Sequence, residues 1–523
     1  MNPHPALPLA TALAATLSTL LAQDAPDLRS VAEKSDWRAT ARHSEVMDLC
    51  RGLADSSPKI HMEIAGRTPE DRELPILVIA DPPVAHPSQV GDRLVAFAWA
   101  GIHSGEVCGK PATLMLAREM AEVEDHPLLQ DLVVVFLPLL NADGNDRMAP
   151  DNRRSQQGPV DGMGTRANAE GLNINRDWTK LRTKEAQAVV GVLNKWSPAI
   201  AMDLHTTNGT RHRYVLTYDG QRHPACDDAL RILTRDDMLP SVSWSVEKDT
   251  GYRIFYYGNL GRGGETWTID PALPRYSTHY VGMRHHISLL SEAYSYASYE
   301  DRVLGTLAFV RHSFTWVADH KEQVRQVIDA AENEAVARGH NPRPGDMIPL
   351  RRQPKMTDKK VNILTYDPQN RDQPVDLQCF YNDESESTLS VQRPWAYLVP
   401  SEFAEALTNL QHHGIYSERL DRDTEIPVEV YTVASIERGT RPYEGATLLT
   451  TEVVGRPDRR LVPEGTVVVR TAQPLGTLAA FLLEPQSEDG LCTWGFFKDA
   501  VREGEEFPVL RIPRPQLLST TGR

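Results

Sequence analysis

Four largely apolar runs stand out in the first part of the chain: LPILVIA (74–80), LVAFAWA (94–100), LVVVFLPLL (132–140) and AIAMDL (199–204). Continuous apolar stretches bounded by polar residues are what strands buried on both faces require, so each is read as a strand of an interior sheet. Between them the period changes. KPATLMLAREMAEV sets Leu114, Ala117 and Met120 on one helical face, and after Thr183 the residues Ala186, Val189, Val190 and Leu193 follow the i, i+3, i+4, i+7 rule. ISLLS (287–291) predicts a late strand, followed by helices near 300–315 and 317–338, the second closed by Gly339. Strands alternating with helices predict an α/β fold with a mixed, mostly parallel central sheet flanked by helices.

The pattern shifts at HNPRPGDMIP (340–349), a Pro/Gly-rich stretch that reads as a linker. Beyond it come short β segments at 360–366, 428–433 and 466–471, and one helix over 401–413 that carries Phe403, Leu407 and Leu410 and stops at Gly414. A smaller β-rich C-terminal domain is expected there. At the other end, residues 1–22 contain no Lys, Arg, Asp or Glu and include an apolar Ala/Leu/Thr stretch, which reads as a signal peptide and predicts a secreted or periplasmic protein. The expected organisation is a signal peptide at 1–22, a catalytic domain at 23–340, a linker at 341–349 and an accessory domain at 350–523.

Composition narrows the function classes. With 41% hydrophobic and 24% charged residues the chain is an ordinary globular protein with an ample core. A formal net charge of -15 argues against nucleic acid or anionic lipid as a partner, because phosphate binding draws on clustered Lys and Arg. No segment is long enough for stable membrane insertion. Five cysteines (Cys50, Cys108, Cys226, Cys379, Cys492) form no C-x-x-C pair and suit buried thiols better than a zinc ribbon or a disulfide scaffold. Oligomeric state is not readable.

Chemistry concentrates where the strands end. The run 94–100 feeds directly into Gly101-Ile102-His103-Ser104-Gly105-Glu106. In an open α/β sheet, ligands bind outside the carboxyl ends of the strands, and an H-x-x-E turn there can direct an imidazole and a carboxylate at one point. Two other strands end similarly: 199–204 runs into His205, and 287–291 into Glu292. If these strands are neighbours, His103, Glu106 and His205 supply three zinc ligands, leaving a fourth coordination position for water. Glu292 then remains to take a proton. Between them lies a loop with Arg166 and Asn173-Ile174-Asn175-Arg176, suited to a carboxylate or a developing oxyanion.

Taken together, His103-x-x-Glu106, Asn141-Ala142-Asp143-Gly144, Arg166, Asn175-Arg176, His205 and Glu292 resemble, in order and spacing, a zinc metallocarboxypeptidase of the carboxypeptidase A type over about residues 40–320. The resemblance implies one Zn²⁺ per chain on His103, Glu106 and His205, and Glu292 as general base. It further implies Arg166 polarising the scissile carbonyl, Asn175 and Arg176 gripping the terminal carboxylate, and Asp143 orienting the first zinc histidine. The substrate would be a peptide or protein C-terminus. Glu265, in the Gly-rich loop GNLGRGGE, is a competing glutamate; Tyr276 and Tyr280 are candidates for a tyrosine that caps the substrate. The alternatives are a zinc deacylase of N-acyl amino acids, similar to succinylglutamate desuccinylase or aspartoacylase, and a non-catalytic peptide- or cell-wall-binding protein. RPYEG (441–445) and the stretch 472–490 resemble tails of bacterial relatives and have no readable role.

Overall fold

The computed structural model describes residues 27–522 except 270, 368, 369 and 371, so the signal peptide expected at 1–22 lies outside the described residues. An eight-stranded mixed sheet organises the first three fifths of the chain. Its strands are β1 (Ile60–Arg67), β2 (Glu73–Ile79), β3 (Leu94–Ala100), β4 (Leu132–Leu137), β5 (Ile200–Thr207), β6 (Leu216–Gly220) and β7 (Ile254–Tyr256), joined by a later strand, β10 (Ile287–Tyr294). The order across the sheet is β1-β2-β4-β3-β5-β10-β6-β7. The middle four, β4, β3, β5 and β10, are mutually parallel, so their carboxyl ends open on one edge. That edge carries the site.

Helices cover both faces of this sheet, as parallel strands require. The helix Gly109–Glu122 starts right after β3. A Cβ at Gly109 would sit 2.8 Å from the Cβ atoms of Ala100 and Leu204, so only glycine lets the helix start this close to the strands. Helix Lys184–Trp196 is capped by the Thr183 side chain accepting from Ala186 N, and it packs Val189, Val190 and Leu193 into the core.

Local differences from the sequence-based expectation have plain causes. The run 132–140 is a strand only to Leu137, because Pro138 has no N–H to continue the ladder. Strands β5 and β10 extend past His205 and Glu292, which therefore lie within strands and not beyond them. The late helices break at His320, giving Tyr299–Asp319 and Lys321–His340. Gly339 does not terminate the second helix. It is buried inside it, where a Cβ would meet the Thr471 carbonyl at 2.2 Å, so it marks a close approach to the C-terminal region.

The C-terminal region is β-rich, with strands Lys360–Tyr366, Pro374–Asn382 and a long hairpin, Thr424–Arg438 with Leu449–Val462, within a seven-stranded sheet. The expected helix appears as Ala404–His412, ended near Gly414 at φ +80. Strand pairing crosses residues 341–349: β8 (Asn259–Leu260) and β9 (Thr266–Thr268) join Lys360–Tyr366 and Pro374–Asn382 in one sheet, with Thr266 opposite Phe380. One hydrophobic cluster runs from Val46 through the central sheet to Phe481 and Phe507. All five cysteines are buried and unpaired. Among the described residues, no helix is long and apolar enough to cross a membrane.

Candidate metal centre and substrate cleft

The turn after β3 is held against the end of β4 by backbone hydrogen bonds, Leu140 N to Ala100 O (2.9 Å) and Asn141 N to Gly101 O (3.0 Å). Within it Glu106 N donates to His103 O at 2.8 Å, folding the H-x-x-E segment so that both side chains face the same point. Gly105 is required: a Cβ there would lie 2.3 Å from Arg153 Cγ and 2.7 Å from Gly164 O. From the neighbouring strand, His205 brings its Nδ1 to 2.9 Å from Glu106 Oε2, while His103 Nδ1 stands 3.0 Å from Glu106 Oε1. The ligand atoms of the three residues lie within 4.8 Å of one another, and each side chain is about as buried as the core. Two imidazoles and a carboxylate converging through their lone-pair atoms form a donor set that fits zinc with a position to spare.

Of the ring nitrogens that face away, one is hydrogen-bonded, which orients its ring, and the other faces a carboxylate. His103 Nε2 is 2.8 Å from Asn173 Oδ1. His205 Nε2 is 2.8 Å from Asp203 Oδ2, which also accepts from Ser277 Oγ at 2.6 Å. Electrostatics separate the two. Burial pushes His103 down to about 4, whereas the Asp203 carboxylate holds His205 above the ordinary range despite burial. Burial works against ionisation of Glu106 too, yet His103 and Arg153 hold it well below the usual carboxylate range.

Asp143, expected to orient the first histidine, does not meet it. Asn141-Ala142-Asp143-Gly144 winds into the short helix Ala142–Asp146, with the Asn141 side chain accepting from Gly144 N. This turns the Asp143 carboxylate away from His103, toward Thr68 Oγ1 (2.6 Å), Glu70 N (3.1 Å) and Arg72 Nη1 (2.7 Å) in the β1–β2 turn. The contact belongs instead to Asn173, which sequence reasoning passed over. Its position two residues before Asn175, in the loop already singled out, was the available signal.

The cleft beyond the donor set has a volume of about 430 Å³ and is lined by, among others, His103, Glu106, Arg166, Asn175, Arg176, His205, Tyr276 and Glu292. Glu292 pairs with His205 in the parallel register of β10 and β5, so both side chains leave the same face of the sheet. Glu265 is exposed in the loop before β9 and does not line the cleft. Arg166 reaches in from the side, its Nη1 donating to His103 Nδ1 at 3.3 Å and Glu106 Oε1 at 3.5 Å. A second, unanticipated arginine, Arg153, donates to Glu106 Oε1 at 2.5 Å.

Asn175 and Arg176 stand in a turn where Asn173 Oδ1 accepts from Asn175 N at 3.0 Å. Ser277 N donates to Asn175 Oδ1 at 2.9 Å, so donation to a ligand falls to Nδ2. The Arg176 guanidinium lies over the Tyr276 ring, 4.2 Å from its centroid. Of the two tyrosine candidates, Tyr276 lines the cleft, while Tyr280 is fully buried with its hydroxyl against His413 Nδ1.

Comparison with known proteins agrees with this arrangement. The sequence pattern of the Peptidase_M14 family, zinc carboxypeptidase, matches residues 46–199. Similar relatives include carboxypeptidase 2 of Trichophyton rubrum, 23% identical over 503 residues that cover 91% of this chain and 88% of the relative. Carboxypeptidase 2 of Trichophyton equinum is 22% identical over the same length and shares. Among solved structures, a metallo-carboxypeptidase from Burkholderia cenocepacia overlaps 53% of this chain and 69% of its own at 16% identity and a TM-score of 0.39. The carboxypeptidase A of Helicoverpa armigera overlaps 54% and 74% at 15% identity and a TM-score of 0.41. With the zinc carboxypeptidase family pattern over residues 46–199 and a His-Glu-His group at the strand ends, the chain is similar to zinc carboxypeptidases, and hydrolysis of C-terminal peptide bonds fits it.

Proposed function

We propose a division of labour within the cleft. His103, Glu106 and His205 hold a single zinc ion per chain. Bound there, zinc would supply Lewis-acid polarisation and a more acidic water. Arg176 and Asn175 bind the terminal carboxylate of the peptide, which sets its last amide bond beside Arg166. The Arg166 guanidinium faces the carbonyl oxygen as negative charge grows on it. Glu292 takes a proton from the attacking water and returns it to the departing amine, so that the released residue leaves neutral at nitrogen.

The observation that carries this reading is the register of β10 on β5, which sets Glu292 beside His205 with the arginine-bearing loop across the same cleft. A carboxylate-gripping fork lining the same cleft as a metal site suits an exopeptidase. A deacylase of N-acyl amino acids would act on the same donor set, and the substrate panel separates the two. Full-length protein loaded with zinc should release C-terminal residues from peptides with a free carboxyl end and ignore amidated ones. Glu292→Gln should lower kcat by at least about 10²-fold, the scale of general acid–base catalysis, with zinc content unchanged. Undiminished turnover in that variant would overturn the assignment. The apolar, uncharged leader 1–22 supports export, and residues 350–523 are read as an accessory region serving the catalytic one.

A further inference from the structure

The turn at RPYEG, between strands Thr424–Arg438 and Leu449–Val462, reaches back to the cleft. Tyr443 and Ala446 exchange backbone hydrogen bonds (2.8 and 3.0 Å), with Glu444 at φ +47 and Gly445 at φ +78. Glycine suits the second position, and the tight turn presents Tyr443 and Glu444 side by side. Arg176 Nε donates to the Tyr443 hydroxyl at 3.0 Å, and Asn173 N donates to Glu444 Oε2 at 2.7 Å. Both contacts bridge more than 260 residues of sequence.

A buried platform stands behind this turn. The Tyr443 ring stacks toward Trp494 at 6.2 Å, and the Arg275 guanidinium sits 5.4 Å from the first ring and 5.0 Å from the second. Arg275 is held by Asp489, through Nε (2.7 Å) and its backbone N (3.0 Å). The next residue is Tyr276, whose ring lies under Arg176, and the one after is Ser277, which binds Asn175 and Asp203. Arg176 is thus braced on its face by Tyr276 and at Nε by Tyr443, while Nη1 donates to Asn175 O at 2.6 Å.

We propose that Tyr443, steadied by Glu444, is a positioning residue for the terminal-carboxylate subsite: the C-terminal region sets the angle at which Arg176 meets the substrate. The proposal rests on the reading of Arg176 as the carboxylate grip. With Nε engaged by Tyr443, the guanidinium can meet a carboxylate bidentately only through its Nη1/Nη2 edge. Fixing that edge before substrate arrives removes part of the side-chain entropy that binding would otherwise cost.

The test is Tyr443→Phe in the full-length, zinc-loaded chain, with Arg176→Ala and the double variant beside it. The removed hydroxyl is expected to raise KM for free-carboxylate peptides by about three- to tenfold, the net scale of one hydrogen bond, with kcat within about twofold. The same loss should appear in the Kd of an uncleaved peptide on a Glu292→Gln background, should vanish for an amidated peptide, and should be absent once Arg176 is alanine. An unchanged KM in Tyr443→Phe while Arg176→Ala raises it would overturn the proposal and leave the carboxylate assignment standing. So would a fall in kcat and melting temperature with no selective loss of carboxylate binding. An unchanged KM in Arg176→Ala would instead remove the carboxylate assignment, and the proposal with it.

Discussion

The two ends of the cleft are built by different means. At the metal end, His103, Glu106, His205 and Glu292 issue from adjacent parallel strands or the turn that continues one of them, and the sheet register alone brings them together. At the proposed carboxylate end, Asn175, Arg176 and Tyr276 stand on loops with no ladder to hold them. Their positions come from side-chain contacts, several supplied by Tyr443, Glu444 and Asp489 from the C-terminal region. Where backbone pairing fixes a site, neighbouring strands are enough; where loops carry it, distant chain must brace it. Asn173 joins the two ends, its amide oxygen on His103 and its backbone N–H on Glu444.

Perturbations should separate the ends in a graded way. The largest effect is expected from His205→Ala: losing one of three ligands should abolish stoichiometric zinc binding in metal analysis and lower kcat/KM by more than about 10³-fold. Retained zinc would break the contrast at its metal end. Arg176→Ala should leave zinc content intact and raise KM for free-carboxylate peptides by about 10- to 100-fold, as expected for loss of a bidentate charged contact. Asn173→Ala should weaken zinc about 10-fold or more in a competition titration, the usual consequence of removing a histidine's hydrogen-bond partner. If it raises KM as well, the two ends are coupled through this residue.

The smallest effect concerns the loop that leads to the carboxylate end. Glu185 is buried beside Asn168, whose Nδ2 lies 3.3 Å from Glu185 Oε2 and whose Oδ1 accepts from Glu170 N and Leu172 N. Burial pushes its carboxyl up to about 7 from an ordinary 4.5. The folded state therefore holds a proton that the unfolded state releases between about pH 4.5 and 7, and stability falls as pH rises through that window. Glu185→Gln should match the parent near pH 4 and exceed it by about 1–3 kcal/mol above pH 7 in denaturant titrations. A constant difference across pH would show that this carboxyl is not the titrating group.

Legibility follows the same division. The apolar runs marked β2, β3 and the start of β4, and the H-x-x-E turn, His205 and Glu292 were readable because each stands at the end of a run that must be a buried strand. Strand β1 was missed: its residues are mostly half-buried at the sheet edge, so no continuous apolar run announces it. Asp143 was misplaced because a turn signature says where the chain bends but not which way a carboxylate points. Arg153 was missed because it enters only where Gly105 leaves room for it.

By itself the sequence determined the interior strands, the helices between them and the residue types that end each strand, since burial and backbone period act over a few neighbouring positions. Only the tertiary structure decided which residue orients His103 and what braces Arg176. Those partners, Asn173 for His103 and Tyr443 for Arg176, are separated from it by 70 and 267 residues. Contacts of that range depend on how the whole chain packs, and no local pattern encodes them.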